Sequence, residues 1–358
     1  MTENLIANTR LVSQKIAGTK FQSAKEIVEW MGAMQAQDFN MSKWAIGLRS
    51  DKLTEENVHA AIDSGEIIRT HILRPTWHFV SANDLNWMIE LTAPKILAAQ
   101  KSRNKQLELT EKIFKRSNSI IEKLVGDGKH ATRKEIVSAL NKAKIGTDNN
   151  RASHILFTAE LQGIICSGKM KENQITYALL SERVPKIKAL PKEEALARLA
   201  QKYFKSHCPA TLADFTWWSG LAVADAKRAL EMIKKDFISQ KINSVEYWFP
   251  NSFSDLKKHK KSLFLLPAFD EFLISYKNRS AAVITGHKEK VFSNNGIFWP
   301  TIAVNGQVAG IWKREIKKGK LAVTVNFFDE NKISTDLLEK AAERLGRFLG
   351  FQSEIVGK

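Results

Sequence analysis

The chain has 358 residues and carries 55 Lys or Arg against 38 Asp or Glu, so its formal net charge is +17. This length predicts two to four domains, and a hydrophobic content of 44% is enough to form their cores, which excludes a disordered chain. The two cysteines, Cys166 and Cys208, have no partner spacing and exclude a disulfide framework. Without a signal core or a membrane-length apolar stretch, we expect a cytoplasmic protein.

The positive charge is concentrated in one segment. Residues 95–145 hold 13 Lys or Arg and only 5 acidic residues. An excess of this kind is typical of proteins that bind a polyanion, most often nucleic acid. The alternative is a lysine-rich surface that serves only solubility.

Three stretches begin in the same way. They are "SAKEIVEWMG" from Ser23, "TRKEIVSALN" from Thr132 and "TLADFTWWSG" from Thr211. Each opens with Ser or Thr and has Glu or Asp three residues later, which is the capping box of a helix start. Each ends in Gly or Asn, residues that commonly stop a short helix. We interpret the three stretches as copies of one repeat.

The second copy indicates what the repeat is. "TRKEIVSALNKAKI" and "NNRASHILFTAELQG" predict two successive helices, and "GIICSGKMKENQITYALL" predicts two strands around a polar turn. This order is typical of a winged helix-turn-helix unit, whose last helix enters a DNA groove. The wing strand of the first copy is predicted in "TWHFV", and the third copy runs to "SVEYWFP".

We therefore predict an α+β protein: three tandem winged helix-turn-helix units followed by a C-terminal β-rich, barrel-like domain with a closing helix. The first unit, a helical connector, the second unit, the third unit and the β domain are expected at 1–80, 81–117, 118–190, 191–255 and 256–358. The connector is expected to be helical up to its basic end, "KSRNKQ".

The last 100 residues have strand composition in several stretches. These are "SLFLLPAFDEFLISY", "AAVITGH", "GIFWPTIAVNGQVAGIWKREI" and "KLAVTVNFF". Asn305 and Gly306 are a strong hairpin turn signal. A helix is expected from about Thr335 to Leu349. Asp270 and Glu271 have apolar neighbours, which favours a buried structural pair over the alternative, a catalytic pair.

Six segments are specific in combination: "MQAQ", "LRPTWHFV", "TDNNRASHILFTAELQGIICSG", "YALLSERVP", "PATLADFTWWSGL" and "LLPAFDEFLISYKNRS". With them the chain resembles the bacterial winged-helix DNA glycosylases of the AlkZ and YcaQ group over nearly its whole length. The resemblance implies three tandem winged helices and a β domain around a DNA channel. It also implies monofunctional removal of alkylated bases, including bulky or cross-linked adducts.

The catalytic signature of that family is Gln, an apolar residue, then Gln or Asp. This chain has Gln35, Ala36 and Gln37, similar to the AlkZ-like branch. Ala36 is smaller than the aliphatic residue often found there. Residues 74–78 read Arg-Pro-Thr-Trp-His where the family commonly has Arg-Gly-Thr-x-His, and proline lacks an amide donor.

Two neutral amides suit a substrate that is already activated. A purine alkylated at N7 or N3 is cationic, so its N-glycosidic bond is weak and needs little acid catalysis. What remains is to hold water against C1′ and to face the developing cation with electron-rich oxygens, which a carboxamide can do. Alternatively, Gln35 caps a helix and Gln37 bonds a loop.

The spacing of the two amides makes a prediction about shape. Residues two apart on an α-helix point about 200° apart, so Gln35 and Gln37 act together only if the helix ends near Gly32. Asp38, the nearest carboxylate, is either an accessory group or the cap of the next helix.

Eight DNA contacts are predicted, in the first wing, at the end of the connector and at two helix starts of the second unit. Helix starts favour phosphate because their backbone amides are free. The alternative is a solvated surface for the exposed residues and a packed ring for the histidine. The contacts are Arg74, Thr76, His78, Arg103, Arg133, Lys134, Asn150 and Arg151.

The leading hypothesis is a monofunctional glycosylase that removes cationic N7- or N3-alkylated purines from double-stranded DNA and leaves an abasic site. No cofactor motif and no metal-ligand cluster are found in the sequence. We expect a nucleoid-associated monomer, because three wings in one chain remove the need for a symmetric dimer. The rival hypothesis is a winged-helix regulator or another DNA-binding protein without catalysis.

Overall fold

The computed structural model describes residues 3–172, 174–186, 189–252, 261–329 and 334–356. The N-terminal part begins with an isolated helix and continues with a mixed set of short elements. In chain order these are α1 (Glu3–Ser13), α2 (Ala24–Met31), β1 (Met34–Gln35), α3 (Phe39–Gly47), α4 (Glu55–Ser64), β2 (Ile67–Ile72) and β3 (Thr76–Ser81). The strands form an antiparallel sheet in the order β1-β3-β2. We call residues 24–81 the first unit.

A long helix follows and leads into a second set of elements. The helix ends at Gln106, and its last residues are the basic end of the connector. The elements are α5 (Ala82–Gln106), α6 (Glu111–Val125), β4 (Ala131–Thr132), α7 (Arg133–Lys142), α8 (Arg151–Leu161), β5 (Ile165–Ser167), β6 (Thr176–Leu179) and α9 (Leu180–Arg183). The sheet order is β4-β6-β5. Residues 111–179 are called the second unit.

The third set repeats the pattern with its first strand reduced to a single bridge. Its elements are α10 (Lys192–Ser206), α11 (Leu212–Ser219), α12 (Val223–Ile233), β7 (Phe237–Ile242) and β8 (Val245–Pro250). Ala210 pairs with Trp248 of β8, in the place that a short strand holds in the other two sets. Residues 192–250 are called the third unit.

The three units share one order: helix, short strand, helix, helix, two strands. In each, the short strand pairs with the last strand. The predicted capping boxes are all present, but the box at Ser23 opens α2, whereas those at Thr132 and Thr211 open α7 and α11. The predicted repeat therefore took the wrong helix in its first copy, because a capping box marks a helix start without saying which helix it is. The matching helix is α3, capped by Asp38.

The C-terminal part is β-rich, as predicted. It contains β9 (Leu263–Leu266), α13 (Glu271–Ile274), α14 (Lys288–Val291), β10 (Thr301–Val304), β11 (Gln307–Lys317), β12 (Lys320–Phe327), α15 (Thr335–Leu349) and β13 (Gln352–Val356). They include a curled five-stranded sheet, ordered β13-β12-β11-β10-β9. The predicted start of this domain at residue 256 lies outside the described residues.

Two C-terminal predictions hold, one is wrong, and one strand was not predicted. Asn305 and Gly306 both have positive φ and connect β10 to β11, and α15 has the predicted bounds. The stretch "AAVITGH", all of it described, contains no strand but a 3₁₀ turn at Thr285–His287. Ala281, Ala282 and Val283 are buried in the core rather than paired in the sheet, and Ile284 is exposed. The parallel strand β13 after the last helix was not predicted.

Packing makes the first unit the centre of the molecule. One core joins it to the C-terminal sheet, where Trp44 stacks near Phe348 and donates from its indole N–H to the Leu265 carbonyl, 2.8 Å away. A second core joins its β2 and β3 to the third unit. The second unit has a core of its own. The segment that carries Gln35 and Gln37 therefore lies where three parts of the chain meet. Among the described helices, none is both long and apolar enough to cross a membrane.

Candidate active site

The Gln35–Gln37 segment leaves its helix as the spacing requires. Helix α2 ends at Met31, and Gly32 follows with φ +79°. Gln35 then lies in β1 opposite His78, and the amide of Ala36 donates to the Trp77 carbonyl, 2.7 Å away. The predicted break near Gly32 is confirmed. Gln35 is 6% exposed, whereas Gln37 is exposed to solvent in the turn before α3.

Distant groups fix the segment by three hydrogen bonds. The Gln35 amide donates to Oε1 of Glu271 at 2.6 Å. The Arg69 Nε–H donates to the Ala36 carbonyl at 2.9 Å. The Arg74 guanidinium donates to the side-chain oxygen of Gln35 at 3.1 Å, so that this amide has one orientation. The backbone and the first of the two amides are therefore held before any substrate binds.

Glu271 is a carboxylate buried at the junction. It is 1% exposed, accepts from the Trp218 indole N–H at 3.2 Å and from the Ser275 hydroxyl, and has His207 Nε2 at 3.8 Å. Burial alone raises the pKa of Glu271, but its neighbours His207 and Ser275 outweigh that effect and hold the pKa below its usual value. The group is a carboxylate at neutral pH.

Asp270 is equally buried but has other partners. It forms a two-pronged ion pair with Arg49, at 2.9 and 3.0 Å, and both side chains are fully buried. The predicted burial of Asp270 and Glu271 is confirmed, but each carboxylate holds a different part of the molecule.

His78 is a packed residue in this structure. Its ring is fully buried, and Nδ1 lies 2.9 Å from the Thr76 carbonyl. Burial, with a contribution from the Arg74 charge, lowers the pKa of His78 from 6.5 to about 3, so the ring is neutral. Nε2 of His78 and Oγ1 of Thr76 are buried without a hydrogen-bond partner among the described residues. Neither the ring nor this hydroxyl is open to DNA in this conformation.

The two neighbouring tryptophans of α11, Trp217 and Trp218, differ in exposure. Trp218 is fully buried in the core. Trp217 is 41% exposed, donates from its indole to the Ile274 carbonyl at 2.9 Å, and has guanidinium groups of Arg74 and Arg279 at 5.7 and 5.4 Å from its ring centre. An aromatic surface with two cations thus lies beside the residue that holds Gln35.

An open cleft of about 920 Å³ lies on the other face of the first sheet. Strand pairing puts Gln35 and His78 on one face, and Arg69 and Trp77 on the opposite face. Four cations and two acidic side chains line the cleft beside several aromatic rings. Those charged residues are Lys43, Arg69, Arg133, Arg314, Glu55 and Glu315.

The Gln35–Gln37 segment leads to this cleft. Phe39, two residues after Gln37, is in its wall. The Arg69 guanidinium stacks 4.4 Å from the centre of the Trp77 ring, and burial lowers the pKa of Arg69 to about 10, which leaves it charged at neutral pH. A cationic and aromatic wall of this kind suits phosphate and bases together.

Asp38 is the cap of α3. Its Oδ1 accepts from the amide of Met41 at 3.0 Å, and the side chain is exposed. One carboxylate oxygen is thus used in helix capping, which agrees with the predicted role of Asp38 as the cap of the next helix.

The predicted contacts in the second unit lie around the starts of α7 and α8. Arg133 and Lys134 are exposed, and Arg133 donates to the Ser153 hydroxyl at 3.1 Å. Asn150 is exposed in left-handed backbone directly before α8. Arg151 instead donates to the carbonyls of Gly146, at 2.9 Å, and of Leu107, so its guanidinium is largely engaged in the fold.

Arg103 lies in the last turn of α5. It is exposed and donates to the Gln106 side chain at 3.0 Å. The predicted residues thus fall into two groups: one in the first unit around Gln35 and Arg74, and one made by α5 and the second unit. Within the described part of the chain, no cluster of His, Cys, Asp or Glu could hold a metal ion.

Sequence reasoning missed the groups that hold the segment. Arg69 stands in the alternating strand "IIRTHI", where a cation among apolar residues was the available signal. Glu271 was seen as buried but not connected to Gln35, which is 236 residues away in the chain. The cleft residue Arg314 has no local signal, since it belongs to a mostly exposed stretch of β11.

Comparison with known protein families assigns the chain to the DNA glycosylases. The family described as "DNA glycosylase AlkZ-like" matches residues 28–348. Because this match spans most of the chain, the protein belongs to the AlkZ-like DNA glycosylase family. The expected enzyme class, a DNA glycosylase of DNA repair, is confirmed.

A solved structure has the same fold. The Streptomyces sahachiroi DNA glycosylase AlkZ superposes with a TM-score of 0.82 over 99% of this chain and 100% of its own, at 19% sequence identity. At that identity the likeness concerns the fold. No curated protein sequence matches the chain.

Proposed function

We propose that the protein is a monofunctional DNA glycosylase for cationic N7- or N3-alkylated purines in double-stranded DNA. Bulky or cross-linked adducts belong to the proposed substrates, and the product is an abasic site. The observation that carries the proposal is the segment at Gln35 and Gln37, two neutral amides released from their helix, whose backbone and first side chain are fixed where three parts of the chain meet.

The chemistry needs no acid because the leaving base is already a cation. The bond between C1′ and the purine nitrogen breaks, and its electron pair neutralises the base. The oxygen of a water molecule then bonds to C1′, and one water proton passes to solvent. Two amide oxygens near C1′ stabilise the developing positive charge and orient the water, and they do so best when they are fixed in advance.

The two glutamines have different parts in this proposal. Gln37 is exposed and free to hold the water. Gln35 is fixed through Arg74, and its oxygen retains a second lone pair for the substrate. Asp38 is an accessory group whose second oxygen can relay the water proton to solvent.

We propose that the three units are winged helix-turn-helix units. Their shared element order and strand pairing support this, since a winged helix has a short strand that pairs with its wing. Exposed residues of the second unit and of α5 would bind phosphates: Arg103, Arg133, Lys134 and Asn150. His78, Thr76 and Arg151 would act through packing, and Arg74 would act close to the lesion through its bond to Gln35. A monomer in the nucleoid is the proposed working form.

The test is base release from duplex DNA that contains 7-methylguanine, a methylated adenine or a bulky N7 adduct, with unmodified duplex as control. We expect free modified base and an uncleaved abasic strand that breaks only on heating in alkali. Release of unmodified guanine at a similar rate would contradict the preference for cationic bases. Tight, salt-dependent DNA binding without any release would favour the rival, a DNA-binding protein without catalysis.

A further inference from the structure

We infer that Glu271 is a positioning residue that holds the Gln35–Gln37 segment in its reactive geometry. This inference rests on the proposed function. Glu271 touches neither solvent nor the cleft, so its action must pass through the backbone it binds.

The contact has a cause in strand geometry. Of the two neighbouring amides, it is the one of Ala36 that donates to β3, at the Trp77 carbonyl. In an antiparallel pair, the amide of the alternate residue points away from the partner strand. The Gln35 N–H therefore points out of the free edge of β1, where Glu271 Oε1 accepts it at 2.6 Å. The carboxylate takes the place of the strand that this edge lacks.

The carboxylate is itself fixed from the third unit. Its other oxygen accepts from the Trp218 indole N–H on α11. The same oxygen accepts from the hydroxyl of Ser275, which lies one helical turn after Glu271. With Gln35 on one oxygen and these donors on the other, Glu271 has one orientation. It links the first unit, the third unit and the C-terminal part at a single buried group.

The charge of Glu271 also acts on the side chain of Gln35. Burial lowers the pKa of Arg74, and the nearby carboxylate of Glu271 offsets part of this effect. Arg74 in turn donates to the Gln35 amide oxygen. Backbone and side chain of Gln35 are thus both coupled to one carboxylate. Replacement by a neutral group of equal size should loosen both.

Asp270 supplies a matched control. It is the preceding residue, is equally buried and carries the same charge, but it binds Arg49 and does not touch the segment. A purely structural role of Glu271 predicts that Glu271→Gln and Asp270→Asn act alike. A positioning role predicts that only Glu271→Gln changes the chemistry.

The experiment measures single-turnover release of 7-methylguanine from duplex DNA at saturating full-length protein. We expect Glu271→Gln to lower the rate about tenfold or more, with the Kd for the same duplex unchanged. Asp270→Asn should lower thermal stability and keep the wild-type rate well below its Tm. Ser275→Ala removes one donor to the carboxylate and should lower the rate less than Glu271→Gln does. It replaces Glu271→Gln in the test if that variant does not fold. A wild-type rate in both Glu271→Gln and Ser275→Ala would overturn the inference.

A double mutant separates action through Gln35 from a general effect. If Glu271 acts through Gln35, then Glu271→Gln adds little to the loss already caused by Gln35→Ala. Multiplicative losses would overturn the inference.

Amide hydrogen exchange tests the contact without any catalysis. Exchange at the Gln35 amide should be faster in Glu271→Gln than in Asp270→Asn, while the Ala36 amide keeps its protection. If the wild type releases no base, the proposed function fails, and the inference is decided by this exchange: equal protection at Gln35 in both variants would overturn it.

Discussion

The Arg69 guanidinium holds the carbonyl of Ala36 at 2.9 Å, in the middle of the proposed catalytic segment. The same segment is held by Glu271 at the amide of Gln35 and by Trp77 at the amide of Ala36. Three neighbouring backbone groups are therefore fixed by partners from different elements. Preorganisation of this kind lets two weak catalytic groups contribute to the rate, because no energy is spent on orienting them.

The first prediction concerns that arginine. Arg69→Lys keeps a positive charge but loses the Nε–H that holds Ala36, so base release should fall about tenfold. Single-turnover release measures the effect. Arg344→Lys is the control. Arg344 is another largely buried arginine, and it donates to the backbone carbonyls of Leu48 and Ser50, away from the Gln35–Gln37 segment. Equal rates for the two variants would show that the bond to Ala36 is not needed.

The second prediction concerns acid stability. The pKa of His78 is about 3 in the folded protein and near 6.5 when unfolded. Between these values the unfolded chain binds a proton that the folded chain does not. The stabilisation is complete above pH 6.5 and is lost as the pH falls toward 3, by up to about 1.4 kcal/mol per pH unit.

His78→Gln should therefore flatten the dependence of unfolding free energy on pH in this range. Urea unfolding across the range measures it. A slope unchanged by His78→Gln would mean that His78 takes up its proton while the protein is still folded.

The third prediction concerns the buried ion pair of Arg49 and Asp270. Arg49→Met leaves a carboxylate buried without its cation, which costs about 3–5 kcal/mol. The loss should appear as a lower midpoint of chemical unfolding. Lys340→Met, which breaks an exposed pair with Asp336 on α15, should change stability much less, because solvent screens that pair. Similar losses in both would contradict the role given to burial.

The fourth prediction concerns DNA binding. If Arg133 binds a phosphate, Arg133→Gln should weaken binding to any duplex and reduce the slope of log K against log salt by about 1. Fluorescence anisotropy at several salt concentrations measures this slope. Arg151→Gln should instead lower stability, because Arg151 is bound to two backbone carbonyls. An unchanged slope in Arg133→Gln would remove this residue from the interface.

Local chemistry explains which features the sequence predicts. Asn305 and Gly306 form the predicted turn because their backbone freedom matches a tight hairpin, and the helix break at Gly32 follows from glycine at a helix end. The first repeat was misaligned because α2 and α7 carry the same capping signal at different places in their units.

Long-range packing accounts for the rest. The bond between Gln35 and Glu271 joins an edge strand to a short helix 236 residues later, and neither local sequence carries information about the other. The burial of His78 likewise depends on the third unit, which covers its face of the sheet. Residue types indicated the chemistry of the site, but only the fold connects the residues that hold it.

The most direct test of the account is release of 7-methylguanine by Gln37→Ala and Gln35→Ala. The water-binding role predicts a loss of about a hundredfold in single-turnover rate for Gln37→Ala, with duplex binding unchanged. Gln22→Ala, at an exposed glutamine before the opposite end of α2, is the control and should keep the wild-type rate. Wild-type release by both Gln35→Ala and Gln37→Ala would contradict the proposed mechanism.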